Sequence, residues 1–130
     1  MPIGWSVQPA LQCTVVTVAD PYTFKQWESA FAEMKIARAC ERWRAFLIDR
    51  RHSAPPTPEF VRMMVNVLSG HGDLTGHTRV AVVVSSDVGF GMGRMAQMTA
   101  EAINPAISMR VFRTYDEAER WLTVGSQSTT

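Results

Sequence analysis

Arg79-Val-Ala-Val-Val-Val84, then Ser85-Ser86-Asp87, then Val88-Gly-Phe-Gly-Met-Gly-Arg-Met-Ala-Gln-Met98, is the stretch that decides the fold. The opening run is apolar and β-branched, the pattern of a strand covered on both faces. Ser85, Ser86 and Asp87 supply side-chain oxygens able to cap a helix where the periodicity changes. Val88, Gly91, Met95, Met98 and Ala102 then recur at helical spacing, which predicts a helix. A buried strand feeding a helix is the unit of a parallel α/β sheet.

Upstream, Ile3–Gln8 and Leu11–Ala19 are strand-like and joined through Pro9-Ala10, which predicts an antiparallel hairpin. Thr23 and Gln26 form a capping box, with Tyr22 and Trp27 at the staple positions. Phe24, Trp27, Phe31 and Met34 give one apolar stripe, so a helix runs to about Ala39. Arg44–Ile48 is the third strand and ends in Asp49-Arg50-Arg51-His52. Thr57 caps a second helix, with Pro58 in its first position and Gly70 at its end. That helix carries a narrow polar stripe, Glu59, Arg62, Asn66 and Ser69, and must bury more than one side.

Downstream, Ser108–Arg113 is a short fifth strand, and Thr114 with Glu117 is a second capping box. The order is β-β-α-β-α-β-α-β-α. It predicts an α/β fold: a five-stranded, mostly parallel sheet with an antiparallel N-terminal strand and four helices over its two faces. One domain spans residues 1–124, with 125–130 as a flexible tail.

Composition excludes more than it assigns. A net charge of +1 gives no argument for nucleic acid or another strongly charged partner. No apolar run approaches the roughly 18 residues needed to span a bilayer. The N-terminus lacks the pattern of a signal peptide. Cys13 and Cys40 do not make a disulfide framework, and the expectation is a cytoplasmic protein with reduced thiols. His71, Asp73 and His77 share a loop but match no closed zinc spacing, so no metal and no cofactor are expected. Gly89-x-Gly91-x-Gly93 departs from the dinucleotide fingerprint, and the glycines are better explained by close packing of the helix on the sheet. No catalytic signature is present, and the expectation is a protein that is not an enzyme.

Several motifs resemble a known family. Ser86-Asp87-Val-Gly-Phe90-Gly91-Met92-Gly93-Arg94-Met95 matches its Ser-Asp turn and Phe-Gly-Met-x-Arg-Met helix. Val111-Phe112-Arg113 followed by Glu117-Ala118-Glu-Arg-Trp121-Leu122 matches its closing pattern, and Thr57-Pro58-Glu59 fits its second helix. The chain resembles the small bacterial proteins of the SpoIIAA-like, or STAS-like, group, a fold shared with anti-sigma-factor antagonists and similar to CRAL-TRIO lipid-binding domains. The resemblance implies a non-enzymatic regulatory or protein-interaction module. Its alternative is a binder of a lipid or an anionic metabolite, with Met63, Met64, Met92, Met95 and Met98 lining an adaptable pocket. The antagonists' phosphorylated Asp-Ser-Ser/Thr-Gly segment is missing. Ser53 and Thr57 stand near its place, and helix capping accounts for Thr57.

Ligands of open α/β sheets sit beyond the carboxyl ends of the strands. There the sequence offers a candidate anion site: Ser85, Ser86, Asp87, Arg94, Arg113 and Asp49. The alternative is that Arg94 pairs with Asp49 or Asp87. The wide apolar girth of the second helix suggests either a neighbouring helix or a homodimer.

Overall fold

A computed structural model describes residues 2–37, 45–70, 78–103 and 107–128. The elements are β1 (Ile3–Gln8), β2 (Cys13–Ala19), α1 (Phe24–Ile36), β3 (Ala45–His52), α2 (Pro58–Gly70), β4 (Thr78–Val83), α3 (Asp87–Ile103), β5 (Ile107–Phe112) and α4 (Tyr115–Ser128). They form one sheet in the order β1-β2-β3-β4-β5. β1 is antiparallel to β2, and the other pairs are parallel. The expected architecture is therefore present, and β4 lies inside the sheet, between β3 and β5.

Strand order fixes how the helices divide. The three crossovers step in the same direction across the sheet, and crossovers of one hand then place their helices on one face. Accordingly α1, α2 and α3 share a core with Phe46 and Ile48 of β3 and Val80 and Val82 of β4. The alternate residues, Ala45, Leu47, Ala81 and Val83, face α4, which covers the second face through Ala118 and Leu122. A strand's period of two makes this division residue by residue.

The caps set the helix starts. Gln26 N–H donates to Thr23 Oγ1 at 3.2 Å, and Thr23 N–H donates to Gln26 Oε1 at 2.8 Å. Phe60 N–H donates to Thr57 Oγ1 at 3.2 Å, the capping role expected of that threonine. Glu117 N–H donates to Thr114 Oγ1, also at 3.2 Å. α2 lies between α1 and α3 and touches both, so neighbouring helices absorb its wide apolar girth. α4 continues through Ser128, across residues 125–128 that the sequence suggests as tail.

α3 turns a different side inward from the one its larger residues suggest. Gly89, Gly93 and Ala100 are buried, whereas Val88 and Met98 are 67% and 66% exposed. The cause is proximity. A Cβ on Gly93 would lie 2.5 Å from Val111 Cγ2, so only glycine lets the helix approach β5 this closely. Gly91 faces open space, so close packing explains two of the three glycines.

The predicted end of α1, Cys40, Arg44, the 71–77 loop with its two histidines, and Asn104-Pro105 lie outside the described residues. No helix among the described residues is long and apolar enough to cross a membrane.

Candidate functional site

The carboxyl end of β3 carries three consecutive charged residues, and the pleat sends them to opposite faces. Asp49 and Arg51 point toward α4. Asp49 Oδ1 accepts from Arg51 N–H at 3.1 Å and Nε–H at 2.9 Å, and Oδ2 accepts from Nη2 at 2.8 Å. Burial pushes the Asp49 carboxyl up, but the Arg51 hydrogen bonds and charge outweigh it and hold the group below its usual range. The Arg51 guanidinium lies 5.1 Å from the Tyr115 ring centroid, so one cation serves both the acid and α4. Burial, then the charge of Glu119, hold the Tyr115 hydroxyl above its ordinary value.

Arg50 points the other way, among α1, α2 and the loop before α2. It is 8% exposed. Its Nη2 donates to Tyr22 Oη at 2.6 Å and to the Ala54 carbonyl at 3.3 Å, and Nη1 donates to Met64 Sδ at 3.5 Å. The guanidinium is also 5.3 Å from the Tyr22 ring centroid. Among the described residues no carboxylate forms an ion pair with it. Asp20, the acid bound to this loop, is engaged by Ala54 N–H. A buried cation is thus held by neutral groups alone.

Arg50 lines a cavity of about 60 Å³ between α2, α3 and the sheet. Ile48, Val82 and Met109 form its floor, Met64 and Val65 one wall, and Met92 and Ala96 the other. Ser53, Pro55, Pro56, Ser85 and Ser86 surround it at the carboxyl edge. Of the methionines expected around a pocket, Met64 and Met92 line it, together with Met109, which the sequence does not single out. Met63 and Met98 are exposed.

The structure distributes the six candidate anion-site residues over several places. Ser85 and Ser86 border the cavity. Ser85 Oγ donates to the Arg51 carbonyl at 3.1 Å. Ser86 caps α3, its Oγ accepting from Gly89 N–H at 3.0 Å. A Cβ on Gly89 would meet Ser86 Oγ at 3.0 Å and Val84 Cβ at 3.3 Å, so glycine also allows the first turn to close down here. Asp87 pairs with Arg113 on the open surface, where the two side chains are 89% and 53% exposed. Arg113 also stacks over Phe90, 4.6 Å from its centroid. Arg94 is exposed in a groove along β5 that Gln97, Glu101 and Arg113 also line, and it pairs with neither Asp49 nor Asp87. Asp49 belongs to the opposite face.

Arg50 is the residue the candidate set lacks. It shares its parity with Phe46 and Ile48, the large residues of the three-helix face, and that alternation is present in the sequence. Among the described residues no cluster of three or more histidine, cysteine or acidic groups could hold a metal. The cavity combines apolar walls, one permanent cation and serine hydroxyls, which suits retention of a small molecule with one polar end. No protein-family model matches the chain, and no curated protein or solved structure is significantly similar to it.

Proposed function

We propose that this chain is a non-catalytic, small-molecule-binding domain of the SpoIIAA-like, STAS-like type, seating its ligand between α2 and α3. One observation carries the proposal: an apolar cavity at the carboxyl edge of the sheet whose lining includes a buried arginine with no ion-pair partner among the described residues. Binding is favoured over catalysis by the chemistry of the lining. A guanidinium keeps its proton throughout the physiological range, so it holds charge but does not exchange protons. Methionines on both walls supply adaptable apolar contact. A cytoplasmic setting belongs to the same proposal, supported by the fully buried free thiol of Cys13.

The test is a thermal-shift screen with small neutral and anionic organic compounds, paired with native mass spectrometry of freshly purified protein. Saturable stabilisation by compact apolar compounds, or a retained small molecule, is expected. No stabilisation by any compound and a bare protein mass would remove the proposal.

A second function is favoured by a different observation. Val88 and Met98 are large, apolar and two-thirds exposed on the outer side of α3. Such a surface suits a regulatory protein partner or a homodimer. Sedimentation velocity of the parent and of Met98→Glu separates the cases. A dimer that the charge dissociates supports self-association, and a monomeric parent removes it.

A further inference from the structure

Resting on the binding function proposed above, we infer that the cavity is specific for a compact hydrocarbon carboxylate whose anionic end neutralises Arg50. Charge balance is the first ground. An ionised side chain removed from water needs an opposite charge or a full set of hydrogen bonds. Arg50 has neither among the described residues. Its bonds engage Nη1 once and Nη2 twice, and one acceptor is a thioether, a weak acceptor. No described residue accepts from the Nε–H or the second Nη1–H, and Nε is not among the fully buried nitrogens left without a partner, which suits a donor reachable by a ligand at the mouth. A carboxylate is the planar, singly charged group that two such donors match.

The lining selects the rest of the ligand. Arg50 is the only charged residue in the cavity wall among the described residues, which suits a monoanion and not a phosphate dianion. Ile48, Val82, Val65 and Met92 demand a hydrocarbon body, and about 60 Å³ limits its bulk. Ser86 adds a donor. Its oxygen already accepts from Gly89 N–H, which leaves the hydroxyl proton for an acceptor at the mouth. α3 also directs the positive end of its dipole toward that edge.

Calorimetric titration with propionate, whose short hydrocarbon body suits a cavity of about 60 Å³, and with its uncharged, nearly isosteric amide, propionamide, tests the inference. The proteins are the parent, Arg50→Met, Arg50→Lys and Arg94→Ala. The acid is expected to bind the parent at least about tenfold more tightly than the amide, the size of one charge-assisted hydrogen bond. Arg50→Met erases that preference, Arg50→Lys retains part of it, and Arg94→Ala leaves it intact. Equal binding of acid and amide by the parent overturns the carboxylate inference and leaves the binding function standing. Binding of neither compound, with an equally silent screen of other small compounds, removes both. A preference that survives in Arg50→Met places the anion elsewhere and overturns the inference. Should Arg50→Met fail to fold, the parent's acid-to-amide ratio and the Arg50→Lys titration still decide.

Discussion

Asp49, with the exposed Arg51 beside it on one side of β3, and Arg50 on the other are neighbouring residues, and the two buried charges, Asp49 and Arg50, find their partners in different ways. On the α4 side the acid receives three hydrogen bonds from its arginine, which also lies over the Tyr115 ring. On the three-helix side the arginine is equally withdrawn from water, yet only a phenol, a carbonyl and a thioether attend it. A closed polar cluster fastens a lone helix to its sheet. An open one, beside a cavity, has the form of a site waiting for a partner. The contrast also explains why charge at the crown of an α/β sheet is a poor guide by itself: alternate residues of one strand serve different purposes.

The largest expected effect concerns the close approach that shapes the cavity. Gly93→Ala places a methyl against Val111 and should cost about 1–3 kcal/mol in urea unfolding. Gly91→Ala, two residues away in open space, should instead stabilise by about 0.5–1 kcal/mol through reduced backbone entropy in the unfolded chain. Equal effects of the two would mean that α3 does not sit on β5 as described.

Next is the closed cluster. Asp49→Asn should cost about 1–2 kcal/mol at neutral pH, because a buried charge-assisted set of bonds is weakened. The Asp49 carboxyl is depressed in the folded state, so its contribution is present above its unfolded value of about 3.9. It is lost as pH falls through the lower folded value. The stability gap between parent and variant should therefore close in acid and stay constant from mildly acidic to neutral pH. A gap that widens in acid contradicts the pairing.

Arg50 should behave in the opposite sense. Arg50→Met removes a buried charge that pairs with no acid among the described residues but also takes the donor from Tyr22 Oη and the Ala54 carbonyl, so the ligand-free variant should stay within about 1 kcal/mol of the parent. A large loss would show that Arg50 is structural, like its neighbour.

The smallest effect is chemical. Burial, then the charge of Glu119, push the Cys13 thiol up to about 11. The native state therefore favours the protonated thiol, a contribution complete below the unfolded value and lost as pH climbs toward about 11. Peptide mapping after iodoacetamide treatment in mildly alkaline buffer should find Cys13 unlabelled until the protein unfolds. Ready labelling of the native protein would mean that the α4 face is not sealed.

Much of this architecture is legible in the chain itself. Thr23 with Gln26, and Thr114 with Glu117, mark helix starts through local hydrogen bonds that need no tertiary partner. The β-branched runs of β2 and β4 mark strands covered on both sides. The inward side of α3 is not legible in the same way. Hydrophobic periodicity favours Val88, Met95 and Met98, whereas the fold selects Gly89, Gly93 and Ala100 because small residues permit the closest approach to β5. The site divides similarly. Ser85 and Ser86 follow from the end of a parallel strand. Arg94 and Arg113 are drawn into the same expectation by their arginine chemistry, yet both line the β5 groove rather than the cavity, and Arg113 is already paired with Asp87. Arg50 is legible as one of the charges at the end of β3, Asp49-Arg50-Arg51-His52, but its place on the cavity side emerges only when the face of Phe46 and Ile48 is followed two residues further.

The direct test of Arg50 as the contact for an anionic ligand in the α2–α3 cavity follows its side-chain Nε–H by ¹⁵N-edited NMR while propionate is added, with the assignment made from Arg50→Lys. A saturable downfield shift of that proton is predicted, together with shifts in the amides of Gly89, Met92 and Gly93. An unmoved Nε–H alongside saturable shifts at Arg94, Arg110 or Arg113 would place the anion in the β5 groove and contradict the account.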